Sequence, residues 1–281
     1  MIVSLIKSLR PKQWYKNFLL FLGVIFSLNL FNFSLLLDAV FAFIIFCILS
    51  GSGYIINDIL DMKKDRKHPV KRKRPIASGK LKISYAIIAS FILIIISLYW
   101  AFTINLNFFN ISVIFFFSNL IYSLWLKRII LVDILVISVN YIIRAVAGEL
   151  AVNVPLSPWI TLCALLLALF LASGKRRHEL LLLGKKAKSH RKILSEYSEE
   201  MLGQLTSISA STIILSYSLY TFFTYNPWMM ITIPVVIYTI FRYLFLVQSK
   251  NIGGEPEIIF KDKGMLISMA IWIILCILIL Y

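Results

Sequence analysis

Long apolar runs separated by short polar connections dominate the hydropathy pattern of this 281-residue chain. A transmembrane helix needs about 20 consecutive, mostly apolar residues, and nine segments of the sequence meet that requirement. They are residues 15–33, 35–56, 83–104, 108–126, 130–150, 158–174, 203–223, 227–248 and 264–281. The pattern therefore predicts an all-α, polytopic membrane protein of nine transmembrane helices, in a single domain that covers residues 1–281.

The connections between these segments alternate in their content of lysine and arginine. The connections that contain NLFNFS, NLN, NVPLSP and TYNP have no basic residue. Nearly all basic residues lie in the N-terminus and in the connections at 57–82, 127–128, 175–192 and 249–263. Because lysine and arginine collect on the cytoplasmic side of a membrane, we expect the N-terminus inside and the C-terminus outside.

Composition agrees with this class, since 60% of the residues are hydrophobic and only 15% are charged. A soluble fold is thereby excluded. The formal net charge of +16 is what cytoplasmic loops of a membrane protein produce, so it does not predict a nucleic-acid partner. Cys47, Cys163 and Cys276 lie inside apolar segments without paired spacing, which predicts neither disulfides nor a zinc site.

Three aspartates at helical spacing occur in the stretch NDILDMKKDR, at the cytoplasmic end of the second predicted helix. Asn57, Asp58, Asp61 and Asp65 occupy positions i, i+1, i+4 and i+8, so the carboxylates project on one side if the helix continues past the membrane. Like charges at this spacing repel each other, and a bound cation would remove that conflict. Carboxylate and amide oxygens suit Mg²⁺, which binds through one or two carboxylates plus substrate phosphates.

A basic run follows the aspartates and is expected to contact phosphate groups that the metal does not neutralise. Its members are Arg66, Lys71, Arg72, Lys73 and Arg74. The alternative is a solvated loop whose charges only set the membrane topology. A loop that only sets the topology needs basic residues but no aspartates at helical spacing. The aspartates that precede the basic run therefore favour the phosphate interpretation.

A second set of polar residues lies on the fifth predicted helix, where Asp133, Asn140 and Arg144 share one face and Tyr141 lies nearby. A charge inside the hydrocarbon costs about 2.5 to 3.5 kcal/mol on insertion scales, so Arg144 is a functional candidate. The alternative is a structural ion pair of Arg144 with a carboxylate such as Glu149.

The third set is GKRRHE, at the end of the sixth predicted helix, with Lys175, Arg176, His178 and Glu179. It is rich in hydrogen-bond donors and poor in metal ligands, which predicts a phosphate clamp. His178 and His68 are better explained as hydrogen-bonding or surface groups than as general bases.

Two further features are weaker signals. The N-terminal RPKQWYKN combines Trp14 and Tyr15 with Arg10, Lys12 and Lys16, as expected of an interfacial anchor or of a lipid entrance. The ends of the second and sixth helices, SGSGYIINDILD and LFLASGKRRHE, both pass from small residues into charge. That similarity suggests two related halves that face each other across a cavity.

The block NDILDMKKDR resembles the first aspartate-rich motif, N-D-x-x-D-x-x-x-D, of the UbiA superfamily of intramembrane prenyltransferases. Within that superfamily RPKQWYKN, DRKHPVKRKRPIASG, YSLWLKRIILVDI, YIIR and GKRRHE look most like the decaprenyl-phosphate phosphoribosyltransferase branch. The resemblance implies a UbiA-type helical bundle around a central cavity, open to the cytoplasm and laterally to lipid, in a bacterial cytoplasmic membrane.

The sequence departs from the wider superfamily after the sixth helix. Members that prenylate aromatic acids carry a second aspartate-rich motif there, which helps to bind a second metal on the prenyl diphosphate. This chain has GKRRHE instead. The loss of the second acidic motif fits a lipid that brings a monophosphate, while the soluble substrate brings the diphosphate.

The resemblance therefore implies transfer of 5-phosphoribose from 5-phosphoribosyl 1-diphosphate to a polyprenyl phosphate, with Mg²⁺ as cofactor and an oligomer possible. The implied catalytic and metal-binding residues are Asn57, Asp58, Asp61 and Asp65. The implied substrate-binding residues are Lys12, Lys16, Arg66, Lys71, Arg72, Arg74, Tyr122, Lys127, Asp133, Asn140, Arg144, Lys175, Arg176 and Glu179. Two alternatives stay open: a prenyl-diphosphate transferase with an aromatic acceptor, and a transporter or flippase for a phosphorylated cargo.

The topology gives the first testable prediction. A cysteine introduced by Val70→Cys should resist a membrane-impermeant thiol reagent in sealed cells, because the 57–82 connection is expected on the cytoplasmic side. The matched Asn107→Cys variant, in the NLN connection, should react. Mass spectrometry of the labelled protein measures both, and strong labelling at position 70 would contradict the orientation.

Overall fold

The computed structural model describes residues 2–155, 157–183, 192–224, 226–249 and 262–281. Every regular secondary-structure element in these ranges is a helix, which confirms the predicted all-α class. Residues 184–191 of the expected cytoplasmic connection 175–192, and residues 250–261 of the connection 249–263, lie outside the described part of the chain.

The chain divides into two compact units, and unit 1 comprises Met1–Ile129 and Asn140–Leu156. Its helices are α1 (Ile2–Ser8), α2 (Phe21–Phe26), α3 (Phe33–Leu60), α4 (Met62–Asp65), α5 (Ile83–Ile104), α6 (Leu106–Leu124) and the greater part of α7 (Val132–Val152). Three 3₁₀ segments join them, at Pro11–Leu20, Lys71–Lys73 and Leu126–Arg128. The core contains the fully buried aromatic side chains Phe46, Phe108 and Phe115.

A close backbone contact holds the Pro11–Leu20 segment against α7. A Cβ atom added to Gly148 would lie 2.0 Å from the carbonyl oxygen of Leu20, so only glycine fits at this crossing. Asn105 provides a second link to α7. Its side-chain oxygen accepts from Phe108 N–H at 2.7 Å, which caps α6, and its side-chain nitrogen donates to the carbonyl of Leu150 at 2.9 Å.

Unit 2 comprises Ile130–Val139 and Ser157–Tyr281. It contains the first turns of α7, then α8 (Pro158–Leu183), α9 (Glu199–Phe223), α10 (Ile233–Ser249) and α11 (Lys263–Leu280), with 3₁₀ segments at Lys192–Ser195 and Pro227–Thr232. One buried cluster joins α8, α9, α10 and α11 through residues such as Phe170, Ile213 and Tyr243. A second cluster includes Ile134 and Tyr197.

Seven helical stretches of the described chain are long and apolar enough to cross a membrane. They are Phe33–Leu60, Ile83–Ile104, Leu106–Arg128, Val132–Val152, Pro158–Leu182, Pro227–Val247 and Lys263–Leu280. The chain is thus a multi-pass membrane protein, but the predicted count of nine crossings is not confirmed.

The first predicted crossing, 15–33, is not a single helix. The 3₁₀ segment Pro11–Leu20 and the six-residue α2 replace it, and Leu28 has a left-handed backbone conformation with φ 63°. Asn29 donates from its side chain to both the carbonyl and the hydroxyl of Ser27, which stabilises a turn in place of a further helical turn.

The seventh predicted crossing, 203–223, lies in α9, which has 25 residues. Serine and threonine lower its mean hydropathy, so α9 is not one of the seven apolar stretches. Several of these hydroxyl groups, including those of Thr206 and Ser209, donate to the carbonyl four residues earlier. The polar atoms are therefore satisfied inside the helix itself.

Candidate functional site

The acidic stretch predicted as a metal site lies at the end of α3 and continues into α4, as the helical spacing indicates. Helix α3 ends at Leu60, Asp61 forms the junction, and α4 ends at Asp65. Asp58 and Asp65 are buried, at 2% and 4% exposure, whereas Asn57 and Asp61 are half-buried. The side chains form two pairs, each of which shares one cationic nitrogen.

Asp58 and Asp65 share Arg74. The Nη1 atom of Arg74 donates to Asp58 Oδ1 at 3.0 Å and to Asp65 Oδ2 at 2.6 Å. Arg10 also donates to Asp58 Oδ1, and its guanidinium lies 4.7 Å from the ring centroid of Tyr54. A buried carboxylate needs such partners, because an uncompensated charge away from water costs several kcal/mol.

Asn57 and Asp61 share Lys127, which follows α6. The ammonium nitrogen donates to Asn57 Oδ1 at 3.1 Å and to Asp61 Oδ2 at 2.7 Å. Residues four apart stand one above the other on a helix, so one cation reaches both. Lys127, predicted as a phosphate ligand, is therefore an ion-pair partner of the acidic stretch.

The remaining basic residues of the loop are more exposed. Arg66 donates through Nε to the carbonyl of Ala77 at 3.2 Å, and Arg72 and Lys73 lie on the surface. His68 accepts from Val70 N–H through Nδ1, at 3.1 Å, as its interpretation as a hydrogen-bonding group expects. The loop thus has internal structure and leaves several cations at its surface.

Arg144 is buried in unit 1, and its partners are neutral. Its Nε donates to Asn17 Oδ1 at 2.9 Å and its Nη1 donates to the carbonyl of Asn140 at 2.8 Å. The guanidinium lies 4.7 Å from the ring centroid of Phe115 and 5.4 Å from that of Tyr141. Among the described residues no carboxylate forms an ion pair with it.

The alternative that Arg144 pairs with Glu149 is therefore not what the structure shows. Asn140, predicted on the same helix face, accepts from the side chain of Asn119 at 3.2 Å. Tyr54 lies beneath the guanidinium of Arg10 and precedes Asp58 by one helical turn.

Unit 2 contains a buried ion-pair cluster that we call the Asp133 cluster, formed by Asp133, Arg176, Glu179 and Tyr197. Arg176 donates through Nε to Asp133 Oδ2 at 2.7 Å and through Nη1 to Glu179 Oε2 at 2.6 Å. Tyr197 donates to Asp133 Oδ1 at 2.7 Å and accepts from Leu131 N–H at 2.8 Å. Asp133 and Arg176 are both almost fully buried.

Burial, reinforced by the hydrogen bond to Asp133, raises the pKa of the Tyr197 phenol well above its usual value. The phenol therefore stays neutral and donates a hydrogen bond to the carboxylate. Arg176 was predicted as part of a phosphate clamp, whereas the structure gives it two carboxylate partners. Lys175 and Glu179 are half-buried beside it.

Other predicted site residues lie elsewhere in unit 1. Lys12 and Lys16 belong to the 3₁₀ segment, where Lys16 Nζ lies 6.0 Å from the ring centroid of Tyr15. Tyr122 is half-buried on α6.

Sequence reasoning missed four polar residues that hold these sites together: Arg10, Asn17, Asn119 and Tyr197. Arg10 was seen only as part of a membrane anchor. Asn17, which is 1% exposed, lies in an apolar run and carried the one usable signal, because a lone amide in such a run needs a buried partner.

The oxygens of the acidic stretch fit a divalent cation of the Mg²⁺ class. One pair of carboxylate oxygens lies within 2.6 to 3.0 Å of Arg74 Nη1, and one carboxylate and one amide oxygen lie within 2.7 to 3.1 Å of Lys127 Nζ. Within the described ranges, no three His, Cys, Asp or Glu side chains form a cluster that could hold a metal ion. The acidic stretch therefore offers at most one or two carboxylates to a metal, which would complete its shell with water and phosphate.

The Asp133 cluster gives a prediction about stability. Asp133→Asn should lower the free energy of unfolding by about 3 to 5 kcal/mol, because it removes the charge of the fully buried carboxylate that pairs with the buried Arg176. Thermal unfolding of the purified protein in detergent measures the change.

Arg177→Ala is the matched control for that measurement. Arg177 pairs with Glu199, whose side chain is 51% exposed, and such surface pairs contribute about 0 to 1 kcal/mol. Equal destabilisation by both variants would show that the buried pair has no special role.

The sequence model of the UbiA prenyltransferase family matches residues 18–268. A decaprenyl-phosphate phosphoribosyltransferase from Corynebacterium glutamicum is 31% identical over 288 residues, which cover 99% of this chain and 87% of the relative. The protein of the same name from Mycolicibacterium smegmatis is 32% identical, across 97% of this chain and 91% of the relative. The resemblance inferred from the motifs is thereby confirmed.

Solved structures share the fold at lower sequence identity. A UbiA homolog from Archaeoglobus fulgidus bound to DMAPP and Mg²⁺ superposes with a TM-score of 0.76 over 99% of both chains, at 19% identity. The apo structure of a UbiA homolog from Aeropyrum pernix gives a TM-score of 0.68 at 14% identity, over 93% of this chain and 95% of that one. On the match over residues 18–268 and these full-length similarities, the chain belongs to the UbiA prenyltransferase family.

Proposed function

We propose that this protein transfers the 5-phosphoribosyl group of 5-phosphoribosyl 1-diphosphate to a polyprenyl phosphate. The products are polyprenyl-phosphoryl-5-phosphoribose and diphosphate. The observation that carries the proposal is the similarity, at 31–32% identity over nearly the whole chain, to decaprenyl-phosphate phosphoribosyltransferases of three genera.

The charge distribution of the two units supports the same choice of substrates. In unit 1 the acidic stretch offers oxygens for a metal and is bordered by Arg10, Arg74 and Lys127. In unit 2, Asp133 and Glu179 both form ion pairs with Arg176. A single acidic stretch among the described residues suits a reaction in which one substrate carries a diphosphate and the lipid carries a monophosphate.

The residues have distinct roles in this proposal. Mg²⁺ would be held by oxygens of Asn57, Asp58, Asp61 and Asp65. When bound, it would supply Lewis-acid and electrostatic stabilisation of the departing diphosphate. Phosphate groups are bound by the basic side chains, because charge-assisted hydrogen bonds to phosphate are the strongest that these residues form. Those side chains are Lys12, Lys16, Arg66, Lys71, Arg72, Arg74, Lys127, Arg144 and Lys175.

Arg144 and Arg176 differ in the kind of partner that holds them. Arg144 has amide, carbonyl and aromatic partners, so its charge stays available to an anion. Arg176 is held by two carboxylates, and we assign it a positioning role for the end of α8, where Lys175 lies. Four further side chains line the polar sites, those of Asp133, Asn140, Tyr122 and Glu179.

The reaction needs no strong general base. An oxygen of the lipid phosphate attacks the anomeric carbon of the ribose while the bond from that carbon to the diphosphate oxygen breaks, and the electron pair leaves with diphosphate. The lipid phosphate is already an anion, so no proton has to be removed first. Attack in line with departure inverts the anomeric centre.

The location follows from the substrates. The sugar diphosphate is a cytoplasmic metabolite, so the acidic stretch and the basic loop face the cytoplasm of a bacterial inner membrane, with the N-terminus inside and the C-terminus outside. The polyprenyl chain lies along the apolar helices and enters sideways from the bilayer.

A second candidate function is prenyl transfer from a prenyl diphosphate to another acceptor. The observation in its favour is that UbiA homologs with this fold have been solved with DMAPP or GPP and Mg²⁺. In that case the acidic stretch would act on the lipid diphosphate.

Two parallel incubations, one for each pair of substrates, separate these functions. Purified protein is given Mg²⁺, polyprenyl phosphate and phosphoribosyl diphosphate labelled in the ribose, and the lipid fraction is analysed by mass spectrometry. We expect a labelled phosphoribosyl lipid and one diphosphate released per lipid formed. The second incubation contains a prenyl diphosphate and an aromatic acceptor instead. If this pair gives product while the label of the first incubation stays in the aqueous phase, the second function replaces this proposal. Release of no diphosphate from either pair would favour the transporter alternative.

Substitutions in the acidic stretch test the residue assignment. Asp58→Ala and Asp61→Ala should each lower the turnover by about 10² to 10³, the usual loss when one preorganised electrostatic contact is deleted. Asp38→Ala is the matched control, because Asp38 is a carboxylate on the same helix α3 near its other end. Wild-type turnover and Mg²⁺ dependence in either test variant would refute the assignment.

A further inference from the structure

We infer that Lys127 is an internal counter-ion that competes with the metal for Asn57 and Asp61, and that its release couples metal binding to diphosphate binding. The inference rests on the proposed function for the identity of the metal and the diphosphate. It assigns Lys127 a role in both events, where the sequence predicted phosphate binding alone.

The contact itself is specific. Lys127 Nζ donates to Asn57 Oδ1 at 3.1 Å and to Asp61 Oδ2 at 2.7 Å, and only 12% of the lysine side chain is exposed. Asn57 lies 70 positions before Lys127 in the sequence, and Asp61 lies 66 positions before it. The 3₁₀ segment Leu126–Arg128 places the ammonium over the last turn of α3.

An ammonium and a divalent cation both bind to lone pairs of these oxygens. Mg²⁺ binds oxygen at about 2.0 to 2.1 Å, whereas the ammonium nitrogen lies within 3.1 Å of both oxygens. Two positive charges at such a separation repel each other strongly in a partly buried site. The metal and Lys127 therefore compete for the Asn57 and Asp61 oxygens, and binding of the metal favours displacement of the ammonium.

The second oxygen pair is held more firmly. Asp58 accepts from two guanidinium groups, those of Arg10 and Arg74, and Arg74 also holds the buried Asp65. Arginine presents a rigid planar fork, whereas lysine is a flexible point charge. Asp61 has the more exposed carboxylate, at 23% against 3% for Asp58. The metal should therefore enter at Asn57 and Asp61.

Displacement moves the ammonium of Lys127 away from Asp61 while it stays close to the bound cation. A diphosphate oxygen held by that cation is an anion within its reach. Each ligand then raises the affinity of the other by the same factor, as linkage requires. Lys127 thus weakens metal binding until diphosphate is present.

The test measures Mn²⁺ binding to the purified full-length protein in detergent, with no sugar or lipid substrate, from the electron paramagnetic resonance signal of free Mn²⁺. Lys127→Met should bind Mn²⁺ about 10- to 100-fold more tightly than wild type, the change that loss of one competing charge-assisted hydrogen bond produces. The double variant Lys127→Met with Asp61→Asn should lose this gain. Inorganic diphosphate should tighten Mn²⁺ binding more in wild type than in Lys127→Met, after subtraction of the Mn²⁺–diphosphate complex measured without protein.

Arg128→Met is the matched control, because it removes a neighbouring exposed charge and should leave Mn²⁺ affinity near wild type. Lys127→Gln keeps a hydrogen-bonding end and should shift the affinity in the same direction as Lys127→Met, which preserves the test if the methionine variant does not fold. Unchanged affinity in folded Lys127 variants, or an equal gain in Arg128→Met, would overturn the inference. Because these titrations contain neither substrate, absence of the phosphoribosyl lipid product would refute the proposed function alone.

Discussion

Compensation of buried charge is the constraint on which the candidate sites depend. Asp58 lies in the last turn of the apolar helix α3 and Asp65 ends α4. Both are removed from water, which is tolerated only when cations and hydrogen-bond donors surround them. Arg10, Arg74 and Lys127 meet that demand from three separate parts of unit 1. The same ion pairs therefore hold the N-terminal segment, the basic loop and the end of α6 around the acidic stretch.

Arg144 shows a different solution to the same constraint. Its neighbours are an asparagine side chain, a backbone carbonyl and two aromatic rings, all of which stabilise a guanidinium without cancelling its charge. An arginine held in this way remains attractive to an anion. A carboxylate partner would have removed that property while stabilising the helices equally well.

The two units differ in how acids and bases are balanced. In unit 1 three carboxylates of the acidic stretch pair with Arg10, Arg74 and Lys127, which suits the proposed uptake of a metal and phosphates. In unit 2, Asp133 and Glu179 surround one buried arginine, and Tyr197 holds Asp133 from its other side. Both carboxylates already pair with Arg176, so the cluster serves better to fix the end of α8 than to bind a metal.

Local pattern in the sequence determined the all-helical membrane class, the extent of most long helices and the position of the acidic stretch at the end of α3, because hydropathy and helical spacing depend on neighbouring residues. Its motifs also identified the family. Tertiary structure alone decided which charges meet: Arg10 with Asp58 across 48 positions, and Lys127 with Asp61 across 66. It also decided that a 3₁₀ segment and a short helix replace the first predicted crossing, and that Tyr197 joins Asp133. Such pairings depend on how distant segments pack, and no local periodicity encodes that.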